Sequence, residues 1–168
     1  MYWIAPLEHS GFFKWLNNKQ GTTGDVMVSA TNERDVKLVQ QVNGKPIFLK
    51  YQREAFFGSN LHRYLYFNGY NTVGLTDFSF EIDDAGMPFW VVTKYKKQVG
   101  FSGNDATGIV VVNAQNGEIK EYDIKNTPTW VDRIQPISFI KDQLNDWGEY
   151  VKGYWNFSNE NKLQITED

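Results

Sequence analysis

The chain contains no cysteine in 168 residues. That excludes disulfide staples, thiolate metal sites and a cysteine nucleophile. Histidine is almost as scarce. His9 and His62 stand far apart and at no ligand spacing of the His-x-x-x-His kind, so a histidine metal site or triad is not expected. Positive charge is scattered through a chain of formal charge −3, without the Lys/Arg stripe of a nucleic-acid binder. No apolar run approaches the ~18 residues of a membrane-spanning helix.

Aromatic residues, by contrast, are plentiful: 6 Trp, 9 Tyr and 12 Phe. One reading is a core of large rings, each burying roughly 150–250 Å². The other is an exposed aromatic face for a sugar, a peptide or a partner protein, since Tyr and Trp combine an apolar body with a polar handle. The length suits a single domain, here taken as 1–168, which would bury about 70% of the surface its unfolded form exposes. The apolar opening "YWIAPL" and a C-terminus without a closing signal lead to the expectation that the chain is an excised piece of a larger protein.

Along the chain, Ser10 to Asn17 predicts a short helix with Phe12, Phe13 and Leu16 on its buried side. Val26 to Ala30 reads as a strand. Thr31 or Asn32 caps a predicted helix over Glu33 to Val42, with Val36, Val39 and Val42 as its apolar side. Asn43-Gly44 would close that helix. Pro46 to Tyr51 reads as a strand and Glu54 to Tyr66 as a helix, weakened at Gly58. Asp77 to Ile82 alternates, with Phe78, Phe80 and Ile82 against Asp77, Ser79 and Glu81. Asp83 to Gly86 turns the chain into a returning strand, Phe89 to Lys96, buried at its start. Val99 to Thr107 reads as a polar loop and Gly108 to Ala114 as a buried strand. A turn at Asn116-Gly117 then leads to an edge strand over Ile119 to Ile124. Pro136 opens the best amphipathic helix, with Ile137, Ile140, Leu144, Trp147 and Val151 at spacings of 3 and 4, closed by Gly153.

The segment from Glu54 to Tyr122 resembles the PepSY-type unit of bacterial envelope proteins. That family has a helix followed by a three-stranded antiparallel sheet. Its last hairpin commonly reads valine-aspartate-alanine-x-threonine-glycine-glutamate-valine. Here Val112-Asn113-Ala114-Gln115-Asn116-Gly117-Glu118-Ile119 is similar but has Asn for Asp and Asn for Thr. "MPFWVVTKY" (Met87 to Tyr95) looks like the family's middle strand. The resemblance covers 54–122 and implies an extracytoplasmic, non-catalytic domain that binds or restrains a partner protein, or regulates within a larger membrane protein. Tethering would come from a neighbouring segment.

The search for catalytic chemistry returns little. No serine lies in a Gly-x-Ser-x-Gly context, and Gly100, Gly103 and Gly108 form no phosphate loop. Glu81, Asp83 and Asp84 gather near a hairpin tip without calcium-loop spacing. A hydrolase would need two carboxylates flanking a cleft, and no pair stands out. The irregular "TWVDRIQP" stretch is the candidate recognition loop, carrying Trp130, Asp132 and Arg133. Its plainer interpretation is a loop that packs its Trp and pairs Asp132 with Arg133. Tyr150, Tyr154, Trp155 and Phe157, at and after the end of the last helix, form a second candidate docking stripe, of which Tyr154 and Trp155 are the candidate binding residues.

The expectation is therefore an α+β fold, a mostly antiparallel sheet with several helices packed on it. The expected function is non-enzymatic recognition of a protein partner, with no cofactor and no nucleic acid. A glycan- or peptide-binding module is the first alternative, and a carboxylate-pair hydrolase the second.

Overall fold

A computed structural model describes residues 2–99, 102–150, 152–153, 155 and 162–166. Its strands form three antiparallel sheets among the described residues. β1 (Tyr2–Pro6), β2 (Asp25–Ser29) and β3 (Val36–Val39) make the first, in the order β1-β2-β3. β4 (Gln41–Val42) and β5 (Lys45–Pro46) make a small hairpin. β6 (Gly74–Ile82), β7 (Pro88–Val99), β8 (Ser102–Asn113) and β9 (Ile119–Asp123) form a meander in chain order. Three α-helices accompany them among the described residues: α1 (Phe12–Asn17), α2 (Leu61–Leu65) and α3 (Ile137–Tyr150). The mixed α and antiparallel β content agrees with the sequence.

Core packing follows from strand alternation in β7 and β8. Trp90, Val92, Val110 and Val112 join Ile47, Leu49, Leu61, Leu65 and Ala114 in one buried cluster. Val91, Ile109 and Val111 join Val131 in a second. Successive strand residues point to opposite faces, so a sheet covered on both faces reads as a continuous apolar run. That is why "FWVV" shows so little polar contrast. At the next turn, Asn113 Oδ1 accepts from the N–H groups of Gln115 and Asn116, and Gly117 sits at φ 80°. The side-chain turn and the left-handed residue stop β8 and return the chain into β9, the sheet edge.

Several expectations are overturned. Residues 33–42 form β3 and β4 rather than a helix. Asn32 does not cap a helix; its Oδ1 accepts from Arg34 N–H, and its carbonyl accepts from Asp35 N–H, in a tight turn between β2 and β3. The Val-rich stretch then pairs with β2, Asp25 opposite Val39, as β-branched residues favour. Asn43 and Gly44 take φ 51° and 74°. Two consecutive left-handed residues make a two-residue hairpin turn, not a helix end. Of 46–51 only Pro46 belongs to a strand; Leu49 makes a lone bridge to Thr22. Residues 54–66 hold a 3-10 turn over Phe57–Ser59 and the five-residue α2, which passes into a π turn over Tyr66–Tyr70. Residues 102–107 belong to β8, not to a loop.

The helices also present faces other than those expected. In α1 the buried residue is Trp15, while Phe12, Phe13 and Leu16 are exposed. Trp15 packs against Phe56 and Phe57 at ring distances of 5.8 and 5.7 Å. In α3 the residues buried are Phe139 and Gly148, while Ile137, Ile140, Leu144 and Trp147 are exposed. Phe139 meets Tyr95 edge-on at 5.3 Å, and Leu163 N–H donates to the carbonyl of Gly148. A Cβ at 148 would overlap Leu163's backbone, so the close approach requires glycine. Val151 lies outside the described residues. Pro136 stands just before α3 and accepts from Phe139 N–H.

Candidate functional site

β1 is an edge strand of the first sheet and β6 an edge strand of the third. Between them lies a cleft of about 340 Å³ whose lining includes Tyr2, Trp3, Glu81, Trp130, Asp132 and Arg133. Three of the residues read from the sequence, Trp130, Asp132 and Arg133, thus meet in one place.

A bulge in β6 helps to build it. Thr76 faces Thr93 and Ser79 faces Val91, so Asp77 and Phe78 share one partner position. Asp77 takes φ 49°, a left-handed residue of the kind that bends a bulged strand. Its carboxylate accepts from Arg133 Nη1 at 3.3 Å. Beyond the bulge the alternation holds. Phe78 and Phe80 pack on the first core cluster, while Ser79 and Glu81 engage each other and the 130–133 loop. Ser79 Oγ donates to Glu81 Oε1 at 2.6 Å, and Asp132 N–H donates to Glu81 Oε2 at 3.0 Å. Arg133 therefore pairs with Asp77 and not with Asp132, correcting the local pairing drawn from the sequence.

Burial pushes the Glu81 carboxyl above its ordinary range, opposed by those two hydrogen bonds. Oε2 thereby ties the loop to β6, while Oε1 is held by Ser79 within the strand. The walls of the cleft are aromatic. Trp130 is half-buried, 5.2 Å from Phe89, and packs on the second core cluster. Trp3 is 64% exposed. Tyr2 Oη donates to Asp35 Oδ2 at 3.5 Å and accepts from Lys37 Nζ at 3.3 Å.

Trp155 is exposed and is not among the residues lining this cleft; Tyr154 and Phe157 lie outside the described residues. Sequence reasoning missed Tyr2 and Trp3, and weighed Glu81 only with Asp83 and Asp84 as a calcium cluster. The Tyr-Trp pair of "YWIAPL" was visible as an aromatic opening, but its placement beside β6 was not. Among the described residues no group of three or more His, Asp or Glu side chains is arranged to hold a metal ion. No described helix is long and apolar enough to cross a membrane. Comparison with known proteins gives no match: no family model fits the chain, and no curated protein or solved structure aligns with it.

Proposed function

We propose that this chain is a non-enzymatic recognition module that binds an extended segment of a partner protein in the β1–β6 cleft. The observation that carries this reading is the pairing of two Trp rings with a tethered loop. Trp3 and Trp130 line the same cleft, and the loop that carries Trp130 is held to β6 by Glu81 and Asp77. A pre-organised loop loses little freedom on binding, and Trp with a nearby charge is the usual make-up of a binding hot spot. The Asp132 side chain at the opening suits a Lys or Arg of the bound segment. In this reading α2 and α3 are layers packed on the sheet, through Leu61 and Leu65 and through Phe139. The likeness of 54–122 to PepSY-type units supports a place in a bacterial envelope protein, outside the cytoplasm and tethered by a neighbouring segment.

A glycan is the second reading, favoured by the exposure of Trp3 as a stacking face beside polar groups. Titrating the protein with short Lys- and Arg-containing peptides, and separately with chitin and cellulose oligosaccharides, separates the two by Trp fluorescence. Peptide binding is expected, with Trp3→Ala weakening it about 10- to 100-fold and Trp155→Ala leaving it unchanged. Saturable binding of an oligosaccharide alone, abolished by Trp3→Ala, would transfer the site to glycans. Binding indifferent to Trp3→Ala and Trp130→Ala would remove the cleft from the function altogether.

A further inference from the structure

A second aromatic surface stands apart from the cleft lining. Phe12 and Phe13 of α1 meet edge-on at 5.5 Å, and Phe12 meets Phe57 at 6.2 Å. Phe57 in turn borders a shallow depression of about 490 Å³ shared with Tyr66. Tyr66 meets Phe67 edge-on at 5.4 Å. Two ring groups, Phe12-Phe13-Phe57 and Tyr66-Phe67, therefore flank that depression, and none of the five rings is buried: Phe13 is 77% exposed and Phe67 70%. Contiguous exposed apolar surface of this kind marks an interaction site. Phe57 adds a backbone signature. It holds φ 50°, a conformation that is an outlier for a bulky side chain, while its ring remains 59% exposed.

Charge marks this face as well. The lining of the depression includes His62 and Arg63 and no carboxylate, and Lys14 stands between Phe13 and Trp15 in α1. Neither Lys14 nor Arg63 forms an ion pair among the described residues. Arg63 lies over the Phe67 ring at 5.5 Å. Rings with Arg and Lys beside them are the chemistry of a membrane interface, where the aromatic body enters the headgroup layer and the cation stays at anionic lipid. The rings come from three chain segments, and two of them, Phe57 and Tyr66, border an open depression that also presents Asn60, His62 and Arg63. That is unlike the apolar groove that seats a helical peptide.

We propose that this aromatic, cationic face seats the domain on an anionic lipid bilayer. The contact is peripheral: ring edges enter the interface, and Lys14 and Arg63 face lipid phosphates and carboxylates. It is independent of the cleft and requires no spanning segment.

The test sediments the 168-residue protein with vesicles of phosphatidylcholine containing roughly one-third phosphatidylglycerol, and with phosphatidylcholine alone. Partition onto the anionic vesicles is expected, reduced about tenfold or more on the neutral ones and by raised salt. Phe13→Ser/Phe67→Ser should lower partition about tenfold or more, with an unchanged circular dichroism spectrum and thermal midpoint because both rings are exposed. Lys14→Gln/Arg63→Gln should remove the salt-sensitive part, a change that altered folding of the double Phe variant would not mimic. Trp3→Ala should leave vesicle partition intact, keeping the outcome separate from that of the cleft. Failure of the native protein to partition onto anionic vesicles overturns the proposal. So does partition that both double variants retain in full.

Discussion

At Asp25 the fold buries a carboxyl group whose Oδ2 has no hydrogen-bond partner among the described residues. Burial pushes its pKa from 3.8 up to about 6. The folded state therefore favours the protonated form more than the unfolded chain does. This contribution to stability is fully present below about pH 4 and is lost as pH rises through about 6. At neutral pH the site holds a desolvated charge. Asp25→Asn presents an N–H where the protonated acid presents an O–H, without the charge. It is expected to exceed the native protein in stability at pH 8 by about 1–2 kcal/mol, a figure reduced for partial solvent screening. The gap should close near pH 4. Urea denaturation at both pH values measures it, and equal midpoints at pH 8 would show that the carboxylate is satisfied there.

Among the elements, α2 depends most on its cap. A helix of five residues satisfies few of its own backbone groups. Asn60 supplies what is missing at its start: Oδ1 accepts from Arg63 N–H at 3.0 Å, and Nδ2 donates to the carbonyls of Arg53 and Ala55 at 2.7 and 3.2 Å. Asn60→Ala should cost about 1–2 kcal/mol. Asn60→Asp, which keeps the acceptor and loses both donors, should fall between. Amide exchange at 61–65 should accelerate in the same order, and exchange equal to the native rate in Asn60→Ala would mean that tertiary packing alone holds the turn. Only part of this architecture could be read from sequence. The β6–β9 strands were legible where alternation is strict and turn residues are distinctive, as at 77–82 and 113–119. Val36, Val39 and Val42 fit a helical spacing, yet β2 lacked a partner on one side and the β-branched run supplied it. For α1 the direction of Trp15 depended on Phe56 and Phe57, some forty residues on. The recognition loop was legible as Trp130, Asp132 and Arg133. Its tethers were not, because Asp77 and Glu81 reach it only through the bulge and the fold.

At the scale of the whole molecule, the segment 47–52 joins the two larger sheets. Lys50 and Tyr51 N–H groups both donate to the Ala114 carbonyl, and Trp90 Nε1 donates to the Tyr51 carbonyl at 2.8 Å. These hold the segment to the β6–β9 sheet. Gln52, fully buried, faces the other way: its Nε2 donates to the Leu7 carbonyl and to Thr22 Oγ1, close after β1 and before β2. Its backbone also accepts from Leu61 N–H at the start of α2. One amide thus connects the strand that carries Trp3 to the core that carries Trp130. Gln52→Leu keeps much of the volume and removes the donor, leaving two part-buried acceptors poorer by one bond each, partly offset by loss of the buried Oε1 that has no partner among the described residues. A loss of about 2–3 kcal/mol is expected. The distribution of that loss is more telling than its size. Amides of β1 and β2 should exchange faster while those of β7 and β8, in the deepest part of the core, keep their protection. Peptide binding in the cleft should weaken as well, because its two walls would no longer be held in register. Uniform acceleration across all strands would instead mean that the sheets unfold as one unit and that Gln52 is no hinge between them.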